Sequence, residues 1–190
     1  MMQSSEAVIP VAGYSERMGR FKPEIEWRGM PIVRHVAELA LRHARRVFVV
    51  TGYRPGRVRE LLPDDQRVVS MHNAGFEDGM FSSIQTALER VTAETFFVFL
   101  ADMPAVPDQI VSALARRTIG TWARPSFHGT PGHPVRIHAD LIPELRALDR
   151  RDGEMRQVLH RYRGELLPSD HPGVYLDLDT PEDLRRLEAL

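Results

Sequence analysis

Apolar segments alternate with segments of helical periodicity along the first 117 residues. Their β-branched and aromatic content predicts buried strands over residues 7–13, 46–52, 67–71 and 96–104. Apolar residues at intervals of three and four predict helices over residues 31–45, 54–62, 80–91 and 107–117. Strands and helices that alternate with short connections are typical of a parallel sheet covered by helices on both faces. In such a sheet ligands bind beyond the carboxyl ends of the strands, which directs attention to Val11 and Asp102.

The pattern is weaker from about residue 118 onwards. A turn-rich stretch precedes a polar helical segment over residues 140–162, and VYLDLD (174–179) predicts a last strand. A closing helix is expected after it, with Thr180 as N-cap, Pro181 in the first position and Asp183 in the third. No internal repeat, heptad or low-complexity linker is present, so one domain over residues 1–190 is expected.

Composition excludes several classes of protein. The chain has 190 residues and no cysteine, which removes disulfides, thiolate zinc sites and CxxC redox chemistry. With 25 basic and 26 acidic residues it has no overall field that would attract nucleic acid or an anionic membrane. The amino terminus lacks a basic region and Pro10 interrupts its apolar run, so no signal peptide is expected. These features predict a cytoplasmic protein without nucleic-acid or membrane partners; they do not indicate its oligomeric state.

The basic residues are strongly biased in type. Of the 25, Lys22 is the only lysine and the other 24 are arginine. One interpretation is coding bias with a single chance survivor. The other is that position 22 requires an ammonium, a compact point charge that the planar guanidinium cannot replace.

The segment around this lysine has the chemistry of a phosphate site. Residues 12–23 read AGYSERMGRFKP and follow the first predicted strand. Gly13 and Gly19 permit close approach of backbone amides to an anion, while Arg17 and Lys22 supply positive charge. The spacing is neither that of a P-loop nor GxGxxG. By composition alone, a solvated arginine-rich turn is the favoured interpretation, because glycine turns after strands are common in α/β proteins.

Carboxylates follow two of the predicted strands. Asp102 is expected at the carboxyl edge of the sheet, where it would bind Mg²⁺ together with phosphate oxygens or would simply cap the next helix. Asp177 and Asp179 are expected on opposite faces of the last strand, so that only one shares a metal with Asp102. The eight histidines form no HxH or HExxH pair, which disfavours zinc, and Ser82 and Ser83 lack a GxSxG elbow.

Together these segments resemble a known family. VAGYSERMGRFKP resembles the LAAGxSxRMGxxK signature of the MobA/MocA-like nucleotidyltransferases, which include molybdenum-cofactor cytidylyltransferases and guanylyltransferases. NAGFEDGMFSSI, LADMP and DLDTPEDL resemble, in order, the nucleotide-contacting segment, the GDMP metal motif and the closing (D/N)TPEDL of that family. GHPV (132–135) is similar to the same motif in the cytidylyltransferase branch. The resemblance implies a Rossmann-like, three-layer α/β/α fold of the nucleotide-diphospho-sugar transferase type, with a mostly parallel central sheet.

The resemblance also implies roles for individual residues. Arg17 and Lys22 would contact the triphosphate, and with Asp102 they would be catalytic. Asp102 and Asp179 would hold Mg²⁺, with Mn²⁺ as a substitute. The residues implied to contact the nucleotide are Ala12, Gly13, Ser15, Arg17, Lys22, Asn73, Gly79, Ser82 and Ser83.

The implied reaction is transfer of a nucleoside monophosphate onto a phosphorylated small molecule, with release of pyrophosphate. Ala12-Gly13 is similar to the LAAG form of the cytidylyltransferases, which favours CTP over GTP, and the first expected acceptor is the molybdopterin group. A guanylyltransferase is the alternative within the family. Ala101, Glu24 and Glu26 depart from the family pattern and motivate a second alternative, a nucleotide-binding regulatory protein without turnover. An oxidoreductase domain is disfavoured because GxGxxG is missing.

Overall fold

A mixed eight-stranded sheet forms the centre of the molecule. The computed structural model describes residues 5–15, 18–117 and 120–190. Four parallel strands make one half of the sheet: β1 (Ser5–Val11), β4 (Val47–Thr51), β5 (Val68–His72) and β6 (Thr95–Val98). These strands confirm the four predicted from the sequence, with ends that differ by a few residues. Strand β1 lies between β4 and β6, which places the loop after Val11 in the middle of the carboxyl edge.

The other half of the sheet contains strands that the apolar pattern did not reveal. They are β7 (Trp122–Phe127), β8 (Thr130–Pro131), β9 (Val135–His138) and β10 (Glu165–Ser169). Strand β9 runs antiparallel to both of its neighbours, β6 and β7, while β10 is parallel to β7. The strand order β10-β7-β9-β6-β1-β4-β5, with β8 paired to β7, gives a sheet that is mostly parallel.

Helices cover both faces of the sheet, which confirms the three-layer prediction. The helices are α1 (Ile32–His43), α2 (Pro55–Leu61), α3 (Met80–Leu88), α4 (Asp108–Arg116), α5 (Ile142–Ala147), α6 (Met155–Leu159) and α7 (Pro181–Glu188). Helices α1, α2 and α4 pack on one apolar core, and α3, α5 and α6 pack on the other. Each fully buried Val, Leu, Ile or Phe in these cores contributes roughly 1.5–3 kcal/mol of transfer free energy. No helix in the described part of the chain is both long and apolar enough to cross a bilayer.

A third, smaller core joins the two ends of the chain. It contains Met18, Trp27 and Leu178, among others, and the Trp27 indole Nε1 donates to the carbonyl of Leu187 at 3.1 Å. Trp27 belongs to a short antiparallel hairpin formed by β2 (Glu26–Trp27) and β3 (Met30–Pro31). This core holds the loop after β1 against the segment that precedes α7.

The prediction of a last strand over residues 174–179 is wrong. Pro172–Val174 form a 3-10 helix, and residues 175–179 do not join a sheet. The apolar residues of this segment serve the third core instead, since Leu178 is 2% exposed. The predicted cap of α7 is confirmed, because Thr180 and Asp183 form a reciprocal capping box with Pro181 in the first turn.

Candidate active site

A cavity of about 420 Å³ opens at the carboxyl edge of the parallel strands. The end of β1, the loop after it, the 3-10 helix Lys22–Glu24, the segment after β6 and the start of α3 surround it. This is the edge at which α/β sheets bind their ligands. The cavity contains both apolar walls, such as Leu100, and the charged groups Lys22 and Asp102.

The loop after β1 leaves open space where a ligand would lie. A Cβ built on Gly13 would have no neighbour within 4 Å, so the protein itself does not require glycine there. Gly19 has a φ of +64°, a conformation that favours glycine. The loop is tied down at Ala12, whose carbonyl accepts from the Tyr53 amide at 3.1 Å, and at Ser15, whose Oγ accepts from the Lys22 amide at 3.1 Å. Arg17 lies outside the described residues, and its contact with a triphosphate stays a prediction.

Lys22 brings together the two carboxylates for which a shared metal was predicted. Its Nζ lies 3.3 Å from Asp102 Oδ2 and also donates to Asp179 Oδ1. The ammonium is well shielded, since the Lys22 side chain is 15% exposed. Residues separated by 80 and 157 positions in the sequence therefore meet at a single charge.

A backbone hydrogen bond fixes the approach of the two acidic segments. The Leu178 amide donates to the Asp102 carbonyl at 2.9 Å, so the residues that flank Leu178 lie beside Asp102. Asp179 is held further by its own amide, which donates to Asp183 Oδ2 at 3.3 Å, next to the cap of α7. Asp179 does not reach this position through strand alternation, because no strand forms. The buried side chain of Leu178 and the hydrogen bond from its amide to the Asp102 carbonyl place Asp179 beside Lys22.

Burial raises the pKa of Asp102 from its ordinary value. The nearby charge of Asp177 acts in the same direction, while the charge and the hydrogen bond of Lys22 oppose the rise in pKa. A desolvated carboxylate beside a second carboxylate is stable as an anion only with a cation nearby. In this structure the cation is the Lys22 ammonium.

In the segment over residues 73–84, some residues line the cavity and others are buried behind it. Asn73 Nδ2 donates to Ser82 Oγ at 2.8 Å and to Ser83 Oγ at 3.1 Å, and all three side chains are buried behind the cavity. Gly79 lines the cavity at the start of α3, together with Phe76. In this structure Asn73, Ser82 and Ser83 position the loop that carries Phe76 and Gly79; their direct contact with a nucleotide stays a prediction.

An aromatic wall beside the cavity was not foreseen from the sequence. The Tyr14 ring lies 5.1 Å from that of Tyr53 and 5.2 Å from that of Phe76, between centroids. The Tyr14 hydroxyl donates to Glu77 Oε1, which joins the loop after β1 to the loop before α3. A Cβ on Gly52 would lie 2.3 Å from Phe76 Cγ, so the glycine directly after β4 is a sequence signal for this packing.

The three departures from the family pattern leave the cavity open. Ala101 lines the cavity and has no positive φ, so its methyl group causes no backbone strain. The Glu24 carboxylate accepts from Arg57 Nε at 2.9 Å, and Glu26 is exposed in the small hairpin. Neither glutamate lines the cavity, and the observation that motivated a regulatory protein without turnover is therefore weakened.

The donor set fits a hard divalent cation. Asp102 and Asp179 offer carboxylate oxygens at one place, and Lys22 already demonstrates that a cation is accepted between them. No group of three or more His, Asp or Glu side chains in the described ranges could hold a metal by itself. Two carboxylates with the remaining positions left to water and phosphate oxygens are the arrangement that Mg²⁺ commonly adopts.

Comparison with known proteins decides the family. Residues 7–166 match the family of the MobA-like NTP transferase domain. The chain belongs to this family. The match confirms the resemblance noted in the sequence.

Two curated relatives of this MobA-like protein differ in the nucleotide they are named for. A molybdenum cofactor cytidylyltransferase of Escherichia coli is 27% identical over 183 residues, covering 96% of this chain and 94% of the relative. A probable molybdenum cofactor guanylyltransferase of Trichormus variabilis is 24% identical over 200 residues, covering 99% and 92%. The family and the transfer of a nucleotidyl group are common to both.

Solved structures share the fold along the whole chain. A nucleotidyl transferase from Methanothermobacter has a TM-score of 0.85 at 20% identity and covers 97% of this chain and 96% of its own. A protein of Mycobacterium tuberculosis, solved as a complex with manganese, has a TM-score of 0.74 at 24% identity and covers 97% and 98%. These likenesses confirm the fold class of the MobA-like chain.

Proposed function

We propose that this MobA-like protein transfers CMP from CTP onto a phosphorylated small molecule of the molybdopterin class and releases pyrophosphate. The observation that carries the proposal is the meeting of Lys22, Asp102 and Asp179 at the open glycine loop of the cavity. A nucleotidyl transfer needs positioned phosphates and neutralised charge rather than a covalent intermediate on the protein. The site contains the groups for both tasks.

In the proposed reaction an oxygen of the acceptor phosphate attacks the α-phosphorus of CTP. The new bond joins that oxygen to the α-phosphorus, and the bond to the bridging oxygen of the leaving pyrophosphate breaks. Gly13 leaves room for the phosphates close to the backbone of the loop, and Lys22 stabilises the charge that develops on the α-phosphate. Asp102 and Asp179 would hold Mg²⁺, which supplies neutralisation of phosphate charge when it is bound. Arg17 is proposed to bind the pyrophosphate portion.

The choice of CTP rests on fewer observations than the reaction class. Ala12-Gly13 is similar to the LAAG form of the cytidylyltransferases, and the curated relative at 27% identity is named a cytidylyltransferase. The second candidate is a guanylyltransferase acting on GTP, which the relative at 24% identity favours.

Thermal shift with each of CTP, GTP, ATP and UTP in the presence of Mg²⁺ tests the nucleotide. We expect the largest increase in Tm with CTP; an increase with GTP alone would assign the protein to the second candidate. Pyrophosphate release, measured with molybdopterin as acceptor, tests the reaction. Tight binding of CTP without release for any acceptor would favour a regulatory protein.

A further inference from the structure

A second cationic group lies in the sheet beyond β6, on the strand that follows β9 in the strand order. Arg124 is in β7, and its Nε donates to the carbonyl of Gly132 at 2.8 Å. Burial lowers the pKa of this guanidinium, and no carboxylate in the described part of the chain forms an ion pair with it. A partly desolvated arginine without an acidic partner is uncommon, because buried charges are normally paired.

Arg136, a neighbouring arginine, has a purely structural role and serves as a comparison for Arg124. Arg136 in β9 is 6% exposed, and it too forms no ion pair with a carboxylate in the described ranges. Its terminal nitrogens donate to the carbonyls of Leu114 and Arg117 and to Thr95 Oγ1, which closes the end of α4. The terminal nitrogens of Arg124 make no such bonds within the described residues, and they are not enclosed by the protein. They are therefore available to a ligand.

The fold places Arg124 at the same edge of the sheet as the cavity. Its partner Gly132 precedes His133, which lies two residues before Val135, and Val135 pairs with Val98 of β6. Leu100, two residues after Val98, lines the cavity. The group formed by Arg124, Gly132 and His133 thus lies at the same edge of the sheet as the cavity, beyond β6, although none of the three lines the cavity itself.

The segment over residues 174–179 contacts both the surroundings of Arg124 and Asp102, the partner of Asp179 in the acidic pair. The His133 amide donates to the Val174 carbonyl at 2.8 Å, and four residues later the Leu178 amide donates to the Asp102 carbonyl at 2.9 Å. Gly132 is tightly packed here, since a Cβ at this position would lie 2.1 Å from the Val174 oxygen. The segment over residues 174–179 therefore fixes the position of Gly132 and His133, beside Arg124, relative to the acidic pair.

His133 adds no charge to this place. Burial and the charge of Arg124 lower its pKa to about 4, against a hydrogen bond to the Val98 carbonyl, so the ring is neutral at pH 7. Its Nδ1 is buried without a hydrogen-bond partner among the residues described. Attraction of an anion must accordingly come from Arg124, while the ring provides a spectroscopic reporter a short distance away.

We propose that Arg124 binds an anionic group of the acceptor, of the phosphate class, beside the nucleotide cavity. The planar fork of its free terminal nitrogens suits two oxygens of one phosphate. The inference rests on the proposed function only in naming the ligand as the acceptor. It assigns a binding residue in β7, outside all segments that carry the family resemblance.

The test is a titration of the wild-type protein with inorganic phosphate, observed through the histidine ring signals in NMR. CTP and Mg²⁺ are present at saturation, so that the triphosphate place is filled. We expect the His133 signals to shift and saturate with phosphate but not with chloride at equal ionic strength. Equal shifts with both salts, or none with either, would overturn the inference.

Variants then assign the effect to Arg124. Arg124→Gln should weaken phosphate binding by at least about tenfold, the loss expected for hydrogen bonds to a charged group. Arg146→Gln, an exposed position in α5 with the same change of charge, should leave phosphate binding unaltered.

Calorimetry should give the same affinity for CTP in the wild type and in Arg124→Gln. If phosphate binds equally well to the Arg124→Gln protein, the inference fails, whereas failure of CTP to bind even to the wild type refutes the proposed function alone. Circular dichroism verifies the fold, and the wild-type titration needs no variant.

Discussion

Replacement of Lys22 by methionine should separate two properties that the structure joins at one ammonium. In the metal-free protein this ammonium holds Asp102 and Asp179 together; in the proposed reaction it stabilises phosphate charge. Lys22→Met retains the length of the side chain and removes the charge. We expect tighter binding of a divalent metal to the protein without nucleotide, together with a loss of turnover.

The geometry gives the size of each effect. A separation of 3.3 Å between Lys22 Nζ and Asp102 Oδ2 corresponds to roughly 5 kcal/mol of gross attraction at an effective dielectric constant near 20. Desolvation offsets most of it, and a hydrogen bond to a charged group contributes about 1.5–3 kcal/mol net. A metal that no longer displaces the ammonium should therefore bind at least about tenfold more tightly. Loss of one main electrostatic stabiliser should lower kcat by at least about 10².

The assays are electron paramagnetic resonance of free Mn²⁺ for metal affinity and pyrophosphate release for kcat. Lys22→Arg belongs to the same series, since it keeps the charge but spreads it over a planar group. We expect it to lower kcat by at least about tenfold, which corresponds to roughly 1.4 kcal/mol. Arg59→Met, an exposed position in α2, is the control for removing one positive charge.

If Lys22→Met binds Mn²⁺ no more tightly than the wild type and also retains normal kcat, the ammonium is neither a placeholder for the metal nor part of the reaction. A fully active Lys22→Arg protein would show that position 22 does not require an ammonium, and coding bias would then explain the single lysine.

Three other expectations follow from the site and its surroundings. Asp102→Ala should lower kcat by at least about 10², and near-normal turnover would remove Asp102 from the proposed machinery. The pKa of His133 is about 4 in the folded protein, against an ordinary value of 6.5, because burial disfavours the charged ring. The stability associated with the neutral ring is therefore fully present above pH 6.5 and is lost progressively as the pH falls towards 4. In urea unfolding, the free energy of unfolding of the wild type should therefore decrease by about 2 kcal/mol between pH 7 and pH 5 because of His133, and His133→Gln should lack this decrease. Identical pH dependence of the two proteins would contradict the assignment. Gly52→Ala should displace Phe76, lower stability by about 1–3 kcal/mol and weaken CTP binding in calorimetry, whereas unchanged affinity would show that the aromatic wall is not part of the nucleotide site.

The parallel half of the fold could be predicted because its local signals are strong. Strands β1, β4 and β6 each contain a continuous apolar run, since both faces of the sheet are covered by helices. The other half carries weaker signals. Strand β7 contains Arg124 and Pro125, and β10 has an exposed Leu166, so neither displays a clear apolar pattern.

The segment over residues 174–179 misled the prediction for a physical reason. Its alternation of apolar and acidic residues is that of a strand, but Leu178 fills the small third core while Asp179 turns to Lys22. Alternation records which side chains are buried and does not record whether the backbone joins a sheet. Pairing of Leu178 with the Asp102 carbonyl is a contact across 76 residues that no local pattern encodes.

The candidate site was only partly visible in the sequence. Lys22 and the two aspartates could be named from motifs, whereas the wall formed by Tyr14, Tyr53 and Phe76 depends on three loops that meet only in the fold. The family resemblance implies that Ser82 and Ser83 contact the nucleotide. Their burial against Asn73 is a tertiary feature that hydroxyl chemistry alone does not reveal.

The most direct test of the account is transfer itself. The wild-type protein is incubated with Mg²⁺, molybdopterin and CTP labelled at the α-phosphate, with GTP in a parallel reaction, and both labelled product and pyrophosphate are measured. We expect label from CTP to appear in a dinucleotide of the acceptor, with one pyrophosphate released per product formed. Binding of CTP without either product, under conditions where the acceptor is intact, would contradict it.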